Sequence, residues 1–281
     1  MTENTAPGRL TLVGTPIGNL GDLSPRALDA LRECDYIAAE DTRVTLKLLN
    51  HLGLKKPLVS YYEHNRAESG PRILERLLGG QTCALVSDAG SPAISDPGED
   101  LVRACAEAGV TVCAIPGPCA LITALSISGL PTGRFTFEGF LTMNRKNRRE
   151  HLASLENETR TMIFYEAPHK LVATLGDMAA AFGAERRISL CRELTKLHEQ
   201  VLRTTLGEAL SHYAENPPRG EFVLVVEGKT EPDAPELTLD DAVRLMEEQM
   251  AAGASRKDAA RAVSAQTGFA KNQLYDAALK R

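Results

Sequence analysis

The sequence predicts an α/β protein made of two α/β domains followed by a small helical extension. Three observations predict this class. Strand-like and helical segments alternate up to Gly228, three apolar runs each end in a glycine-containing loop, and the composition changes after Gly228. With 281 residues and 43% hydrophobic side chains, the chain can bury a substantial core, and its length favours more than one domain. The predicted domains span residues 1–128, 129–229 and 230–281.

The composition and charge argue against several classes of protein. No apolar run is long enough to span a bilayer and no charged-then-apolar leader is recognised, so we expect a cytoplasmic protein without membrane contact. The six cysteines form no CxxC pair, which predicts neither a metal site nor a disulfide framework. A net charge of -5 does not indicate nucleic-acid binding, although a summed charge leaves room for a local basic face.

The first predicted strand, Leu10–Val13, runs into a glycine-containing loop that ends at Gly21. The glycine spacing is GxxxGxxG, which is neither the dinucleotide fingerprint nor a phosphate loop, so nucleotide phosphates are not the expected ligand. Ser24 then precedes a proline, a pattern typical of a helix start. The next strand, Tyr36–Ala39, ends in the charged cluster Glu40 to Arg43. That cluster is either a solvated helix start or an acid and an arginine placed beside a cleft.

The stretch ALVSDAGSPAISDPG, from Ala84 to Gly98, looks least like ordinary scaffold. A buried strand, Cys83–Val86, leads directly into a loop that carries Asp88, and a third strand, Val110–Ile115, also ends in a glycine-containing loop. Ligands of open α/β sheets bind outside the carboxyl ends of the strands, where a carboxylate suits ribose hydroxyls and repels phosphate. The Asp88 loop alone is equally consistent with a tight Asx turn. Three such loops together predict a cofactor cleft.

The second half starts at a predicted hinge over residues 129–133. Its predicted strands have polar residues at their ends and are Phe135–Phe140, Thr161–Tyr165, Ile188–Cys191 and Phe222–Val226. The basic run NRKNRR, residues 144–149, leads into a helix near His151. This run is either a solvated helix start or a contact for RNA phosphates, because clustered arginine and lysine attract a nucleic-acid backbone whatever its sequence.

The last part of the chain has a different composition. A proline-containing acidic linker, Thr230 to Pro235, precedes three predicted amphipathic helices, which cover Leu239–Met250, a segment that begins at Ser255, and Ala270–Leu279. The short connection between the last two helices is similar to that of a helix-turn-helix.

Six segments, in the order GTPIGNLGDLSPRAL, AEDTR, SDAGSPAISDPG, IPGPCA, FYEAPHK and RELTKLHE, resemble the tetrapyrrole methylase superfamily. Within this superfamily, the six segments are similar to the bacterial enzymes that methylate a ribose of ribosomal RNA. The resemblance implies S-adenosylmethionine as cofactor, bound between two α/β domains, and a homodimer. The implied substrate is the ribose 2'-oxygen of a decoding-region cytidine of 16S rRNA in the small ribosomal subunit. Members that modify tetrapyrroles carry a GDP triplet where this chain has SDAGSP, which favours the RNA substrate.

The resemblance also implies the residues that bind the cofactor. They lie in the loops after the first-half strands and in the second domain, and comprise Pro16, Ile17, Asp88, Gly90, Ala93, Ile94, Cys119, Ala120, Tyr165, Ala167, Leu194 and Val223.

Methyl transfer to a hydroxyl is an in-line displacement, so alignment supplies much of the catalysis and no metal is needed. A base or a cation near the hydroxyl would help, because a ribose hydroxyl is a weak acid. The candidate bases are Asp41, Glu166, His169 and Glu193. The candidate stabilising cations are Arg43, Lys170 and Arg192. Each of these candidates could instead be part of a surface salt bridge without a catalytic role, and the sequence does not single out one base.

Two other functions are weighed against this one. The first is a methylase of the same superfamily that acts on a tetrapyrrole, another small molecule or a protein side chain. The second is a noncatalytic ribosome-assembly factor that binds cofactor and RNA. The basic run and the helical tail favour RNA over a small planar substrate, and detectable methyl transfer would exclude the assembly factor.

Overall fold

The computed structural model describes residues 7–230 and 238–279. The chain divides into two compact units, Met1–Lys229 and Thr230–Arg281. The predicted linker lies outside the described residues apart from Thr230. Within the described ranges, no helix has the length and apolar character needed to cross a bilayer. The boundaries drawn from the sequence, including the one at 128/129 inside the first unit, stay predictions.

The first unit begins with a parallel five-stranded sheet of order β3-β2-β4-β1-β5. Its strands are β1 Arg9–Val13, β2 Tyr36–Ala39, β3 Leu58–Ser60, β4 Cys83–Val86 and β5 Thr111–Ile115. Its helices are α1 Pro25–Glu33, α2 Thr42–His51, α3 Arg66–Leu78, α4 Glu99–Glu107 and α5 Ala120–Ser128. Strands β2 and β4 are buried along their whole length, as expected for apolar runs in the middle of a parallel sheet covered on both faces.

The register of this sheet brings the three glycine-containing loops together. Strand β1 lies between β4 and β5, with Leu12 opposite Leu85 and Val13 opposite Ile115. Because all three strands are parallel, the loops that follow them leave the same edge of the sheet. The cleft edge predicted from the sequence is therefore confirmed.

The second sheet has the order β6-β7-β10-β8-β9 and is mixed. Only β6 and β7 are parallel, and the other neighbours are antiparallel. Its strands are β6 Phe135–Phe140, β7 Thr161–Glu166, β8 Arg187–Arg192, β9 Gln200–Thr205 and β10 Phe222–Val226. Its helices are α6 Arg145–Ser154, α7 Pro168–Phe182 and α8 Leu206–Glu215. Strand β9 was not predicted from the sequence, because it is an edge strand without fully buried positions and therefore without an apolar run.

The basic run has a partly structural role that neither sequence interpretation anticipated. Helix α6 begins inside the run, at Arg145, after the N-cap Asn144. The Arg148 side chain is only 8% exposed and its guanidinium lies 2.6 Å from a carboxylate oxygen of Asp177, which is 4% exposed. Arg149 reaches the other oxygen at 2.8 Å. Arg148 is therefore neither solvated nor available to RNA, and it fastens α6 to α7.

The second unit contains the three predicted helices, α9 Leu239–Ala251, α10 Arg256–Thr267 and α11 Lys271–Leu279. Thr238 forms a capping box with Asp241 at the start of α9, and Ser255 caps α10. Gly268 ends α10 with a φ of 78°, in the left-handed region that favours glycine. The buried side chains of this unit include Val243, Met246, Val263 and Leu274.

Candidate functional site

A cavity of about 570 Å³ lies where the loops of the first sheet face the second sheet, inside the first compact unit. This volume is within the range of about 300 to 1,000 Å³ that is typical of small-molecule sites. Its lining residues are Ile17, Glu40, Asp88, Ala89, Gly90, Ser91, Ile94, Ser95, Asp96, Cys119, Ala120, Phe140, Tyr165, Glu166, Ala167, Pro168, Cys191, Glu193, Leu194, Lys196, Glu221, Phe222 and Val223.

Main-chain hydrogen bonds fasten the loops after β1 and β4 to each other. The Thr15 N–H donates to the Gly90 carbonyl at 2.9 Å, and the Gly90 N–H donates to the Thr15 carbonyl at 3.0 Å. Gly90 has a φ of 87°, and a Cβ there would lie 3.4 Å from the Ile17 side chain. The Ser91 hydroxyl donates to the Pro118 carbonyl at 3.2 Å, which ties in the loop after β5. The three loops therefore form one rigid wall of the cavity.

Three carboxylates, Glu40, Asp88 and Asp96, line the part of the cavity built by the first sheet. The Asp41 N–H donates to Asp88 Oδ1 at 3.0 Å, and the Asp88 N–H donates to Glu40 Oε2 at 3.3 Å. Burial raises the pKa of all three carboxyls above the ordinary value, and repulsion from neighbouring carboxylates, including Asp41, adds to the rise. A positively charged ligand would stabilise this cluster.

Aromatic rings form the wall contributed by the second sheet. The Tyr165 hydroxyl accepts a hydrogen bond from the Leu121 N–H at 3.2 Å, which joins β7 to the start of α5. Burial raises the pKa of Tyr165 to about 12, so its hydroxyl stays protonated at neutral pH. The rings of Phe137 and Phe140 meet the Tyr165 ring edge-on, at centroid distances of 5.0 and 5.4 Å. This wall suits a flat, apolar group.

The loop after β8 adds an ion-paired cluster. Lys196 Nζ lies 2.8 Å from Glu193 Oε1 and 2.7 Å from Glu221 Oε2. Glu193 and Thr195 both have a positive φ, 51° and 66°, a backbone conformation that residues other than glycine rarely adopt. A Cβ on Gly18, in the loop after β1, would lie 2.5 Å from Lys196 Cγ. The loops of the two halves therefore meet beside the cavity.

Most of the predicted cofactor-binding residues line the cavity. They are Ile17, Asp88, Gly90, Ile94, Cys119, Ala120, Tyr165, Ala167, Leu194 and Val223. Pro16 instead lines a neighbouring cavity of about 260 Å³, and that cavity also touches Asp88. Ala93 lies outside both linings and turns the loop, with a φ of 67°. The binding roles themselves stay predictions.

The candidate catalytic residues are divided between the cavity and the surface. Asp41 caps α2, and its carboxylate is paired with the exposed Arg43 at 2.6 Å. The hydrogen bonds from Arg43 lower the pKa of Asp41 to about 2. Neither residue lines the cavity, and the Arg192 side chain donates to the Arg219 carbonyl at 2.6 Å. This geometry favours the salt-bridge alternative for Asp41 and Arg43.

The two remaining candidate carboxylates, Glu166 and Glu193, both line the cavity, but they differ in how many of their oxygens have hydrogen-bond or ion-pair partners. Glu166 is buried and accepts from the Thr174 hydroxyl at 2.6 Å and from the Ala167 N–H at 2.9 Å. Lys170 lies 3.2 Å from Glu166 Oε1, so both oxygens have partners. Hydrogen bonds reach Glu193 from Lys196 and from the Glu221 N–H, and both end on Oε1. His169 is exposed and does not line the cavity.

The sequence analysis missed several lining residues. Glu40 and Asp96 lie inside the recognised segments AEDTR and SDAGSPAISDPG, so a carboxylate at a strand end was an available signal. The sequence gives no sign that Lys196 and Glu221 form a pair. They are 25 positions apart, and only the pairing of β8 with β10 brings them together. Phe140 was placed at the end of its strand but was not assigned to the site.

The fold and cavity define an α/β protein with two five-stranded sheets and a small-molecule site at the carboxyl edge of the parallel one. Comparisons with known proteins narrow this class. The family model described as Tetrapyrrole (Corrin/Porphyrin) Methylases matches residues 9–210. Uroporphyrin-III C-methyl transferase from Thermus thermophilus, in a crystal structure complexed with S-adenyl homocysteine, has a TM-score of 0.54. It is 18% identical, and the match covers 78% of this chain and 97% of that one.

Two curated relatives are far more similar in sequence. A protein of Synechocystis sp. named Ribosomal RNA small subunit methyltransferase I is 49% identical, with 97% of this chain and 98% of the relative covered. The protein of that name from Pseudomonas aeruginosa is 48% identical, with 98% of each covered. The chain therefore belongs to the tetrapyrrole methylase family, in its group of ribosomal RNA small subunit methyltransferase I proteins. The resemblance seen in the six segments is confirmed.

Proposed function

We propose that the protein transfers a methyl group from S-adenosylmethionine to the ribose 2'-oxygen of a decoding-region cytidine of 16S rRNA. The observation that carries the proposal is the identity of nearly half of all residues, over almost the full length, to proteins named Ribosomal RNA small subunit methyltransferase I. We also propose that the reaction takes place in the cytoplasm, because the proposed substrate is ribosomal RNA. We further propose that the protein acts on the small ribosomal subunit and as a homodimer, as the resemblance implies.

The cavity fits S-adenosylmethionine in its charge. This cofactor carries a sulfonium and an ammonium group against one carboxylate, so it is a net cation. Glu40, Asp88 and Asp96 offer negative charge that desolvation has made costly, and a bound cation offsets that cost. Asp88 Oδ1 already accepts the Asp41 N–H, which fixes the orientation of the carboxylate toward the cavity edge.

The cavity also fits the apolar part of the cofactor. Ile17, Ile94, Leu194 and Val223 supply aliphatic walls around the acidic cluster. Gly90 keeps the main chain within reach of a ligand, because a side chain there would project toward Ile17. These residues, together with the remaining predicted cofactor residues of the lining, would hold S-adenosylmethionine. When bound, this cofactor supplies a methyl group on a positively charged sulfur, which is open to attack by an oxygen.

The chain contributes mainly by orienting the reactants and excluding water. Main-chain hydrogen bonds fasten the loops after β1 and β4, and the Ser91 hydroxyl ties in the loop after β5, so their contacts with a ligand are organised in advance. Among the candidate bases, Glu193 is favoured, because it lines the cavity and its described hydrogen bonds all end on one oxygen. The hydrogen bond from Lys196 lowers the pKa of Glu193, so the carboxylate is charged at neutral pH.

The test is methyl transfer from radiolabelled S-adenosylmethionine to small subunits that lack the modification, followed by mapping of the labelled nucleotide. The wild-type protein should label one ribose, and Asp88→Ala should lose the label together with cofactor affinity. Asp29→Ala is the matched control, because Asp29 is an exposed carboxylate paired on the surface of α1. Label on free 16S rRNA alone would refute the subunit as substrate. Cofactor binding without any label would refute this substrate and favour another methyl acceptor or an assembly factor.

A further inference from the structure

Strand β6 contains a bulge that determines where Phe140 points. Phe137 pairs with Ile163 and Gly139 with Phe164, so the register shifts by one residue between them. Gly139 has a φ of 63°, which favours glycine. In a regular strand, residues 137 and 140 would face opposite sides of the sheet, since side chains alternate. With the bulge, both rings contact Tyr165, and Phe140 lines the cavity.

Phe140 is left largely open at the cavity. It lines the cavity and is nevertheless 59% exposed. Its described ring contacts are the edge of Tyr165 and Lys170 Nζ, which lies 5.8 Å from the ring centroid. An aromatic side chain of this exposure gains little from the fold itself, whereas a flat ligand could cover it.

The start of α6, shortly after Phe140 in the chain, is basic and mostly exposed. Arg145 is 71% exposed and Lys146 is 83% exposed at the start of α6. The run contributes four cations, and the carboxylates they pair with are Asp177 and Glu150, so two positive charges remain uncompensated. This local charge is opposite in sign to the net charge of the chain. Arg145 is five positions after Phe140, so their Cα atoms lie at most about 18 Å apart.

We propose that Phe140 and the start of α6 form the RNA-docking surface of the protein. The Phe140 ring stacks on a nucleobase beside the ribose that receives the methyl group, and Arg145 and Lys146 hold neighbouring phosphates. An exposed aromatic ring next to exposed cations that outnumber their carboxylate partners is a combination that binds unpaired nucleotides, because stacking accepts any base and the cations follow the backbone. The inference rests on the proposed function, since it concerns the same cavity and names the part that recognises RNA.

The central test is Phe140→Ala, with KM for small subunits and Kd for S-adenosylmethionine measured on the same preparations. We expect KM to rise by about 5- to 150-fold, the range that loss of one base–aromatic stack produces, and the cofactor Kd to stay unchanged. Phe140→Tyr should restore KM, whereas Phe140→Leu, which keeps an apolar side chain without the ring, should not. Phe135→Ala is the matched control, since Phe135 is an exposed phenylalanine at the other end of β6 and lies outside the cavity.

The electrostatic part is tested by the salt dependence of RNA binding. Arg145→Gln and Lys146→Gln should each reduce the slope of log Kd against log salt by about 0.7, as expected for one lost phosphate contact on a single strand. Arg103→Gln on α4, another exposed arginine paired within its helix, should leave the slope unchanged.

The outcomes separate this inference from the proposed function. If the wild-type protein methylates subunits and Phe140→Ala leaves KM unchanged, the inference is wrong and the function stands. If Phe140→Ala weakens cofactor binding as much as it raises KM, the ring belongs to the cofactor site and the inference is also wrong. If the wild-type protein methylates no RNA, the proposed function fails and the inference fails with it.

Discussion

Replacing Asp177 should destabilise the protein far more than replacing an ordinary surface carboxylate. Asp177 is 4% exposed and accepts from Arg148 at 2.6 and 2.9 Å and from Arg149 at 2.8 Å. Asp177→Asn would leave the buried Arg148 guanidinium without its counter-charge. Breaking a buried ion pair on one side typically costs about 3–5 kcal/mol of unfolding free energy. In a unit of this size, that loss corresponds to a decrease in Tm of about 6–20 °C.

Urea unfolding, followed by far-UV circular dichroism, measures this cost. Asp29→Asn is the control, because Asp29 and Arg32 are both 54% exposed and such a surface pair contributes about 0–1 kcal/mol. A double variant, Arg148→Met with Asp177→Leu, should recover most of the loss, since replacing both partners leaves no buried charge unpaired. A loss below about 1 kcal/mol in Asp177→Asn would refute the reasoning, because it would mean that Arg148 reaches solvent or another partner.

The same ion pairs predict an acid-dependent loss of stability. Burial acts to raise the pKa of Asp177, but the hydrogen bonds from Arg149 and Arg148 outweigh it, and the pKa is lowered from its usual 3.8. A carboxyl whose folded-state pKa is lowered contributes its full stability above the unfolded-state value and loses it as the pH falls through the folded-state value. The wild-type protein should therefore lose more stability below about pH 4 than Asp177→Asn does.

Two further predictions concern the cavity. Because burial raises the pKa of Glu40, Asp88 and Asp96, these groups take up protons at a higher pH than ordinary carboxyls. The calorimetric Kd for S-adenosylmethionine should therefore rise as the pH falls. The Kd for S-adenosylhomocysteine, whose sulfur is uncharged, should change less. Equal changes for the two ligands would contradict the argument that the carboxylates bind the positive charge. Gly90→Ala should cost about 1–2 kcal/mol in urea unfolding, because of its positive φ, and should also weaken cofactor binding. Gly109→Ala is the control, because Gly109 also has a positive φ but a Cβ there would meet nothing within 4 Å. The cofactor Kd should stay normal in this control, and a weakened Kd would contradict the assignment of Gly90 to the cofactor site.

Much of the first half was predictable because its signals are local. Apolar runs of four or five residues define β1, β4 and β5, and glycine-containing loops follow each of them. Ser24 and Ser255 both cap helices where the sequence predicts helix starts. The gathering of the three loops at one edge follows from parallel strands, whose carboxyl ends point the same way. Six ordered segments were sufficient for the family and hence for the cofactor.

The second half was less predictable because its signals are not local. Strand β9 has exposed or half-buried residues throughout, so its identity depends on pairing with β8. The direction of strands in the mixed sheet depends on connections that periodicity does not report. A bulge at Gly139 turns Phe140 toward the cavity, although strict alternation would place it on the other face.

By itself, the sequence determined the fold class, the family and the loops that form the cavity, because these depend on residue types within a few positions of each other. Only the tertiary structure decided which charges are buried, paired or exposed. Arg148 and Asp177 are 29 residues apart, and nothing near either one distinguishes a structural arginine from an RNA-binding one. The burial of a charge depends on what packs over it from distant segments, and so does its energy.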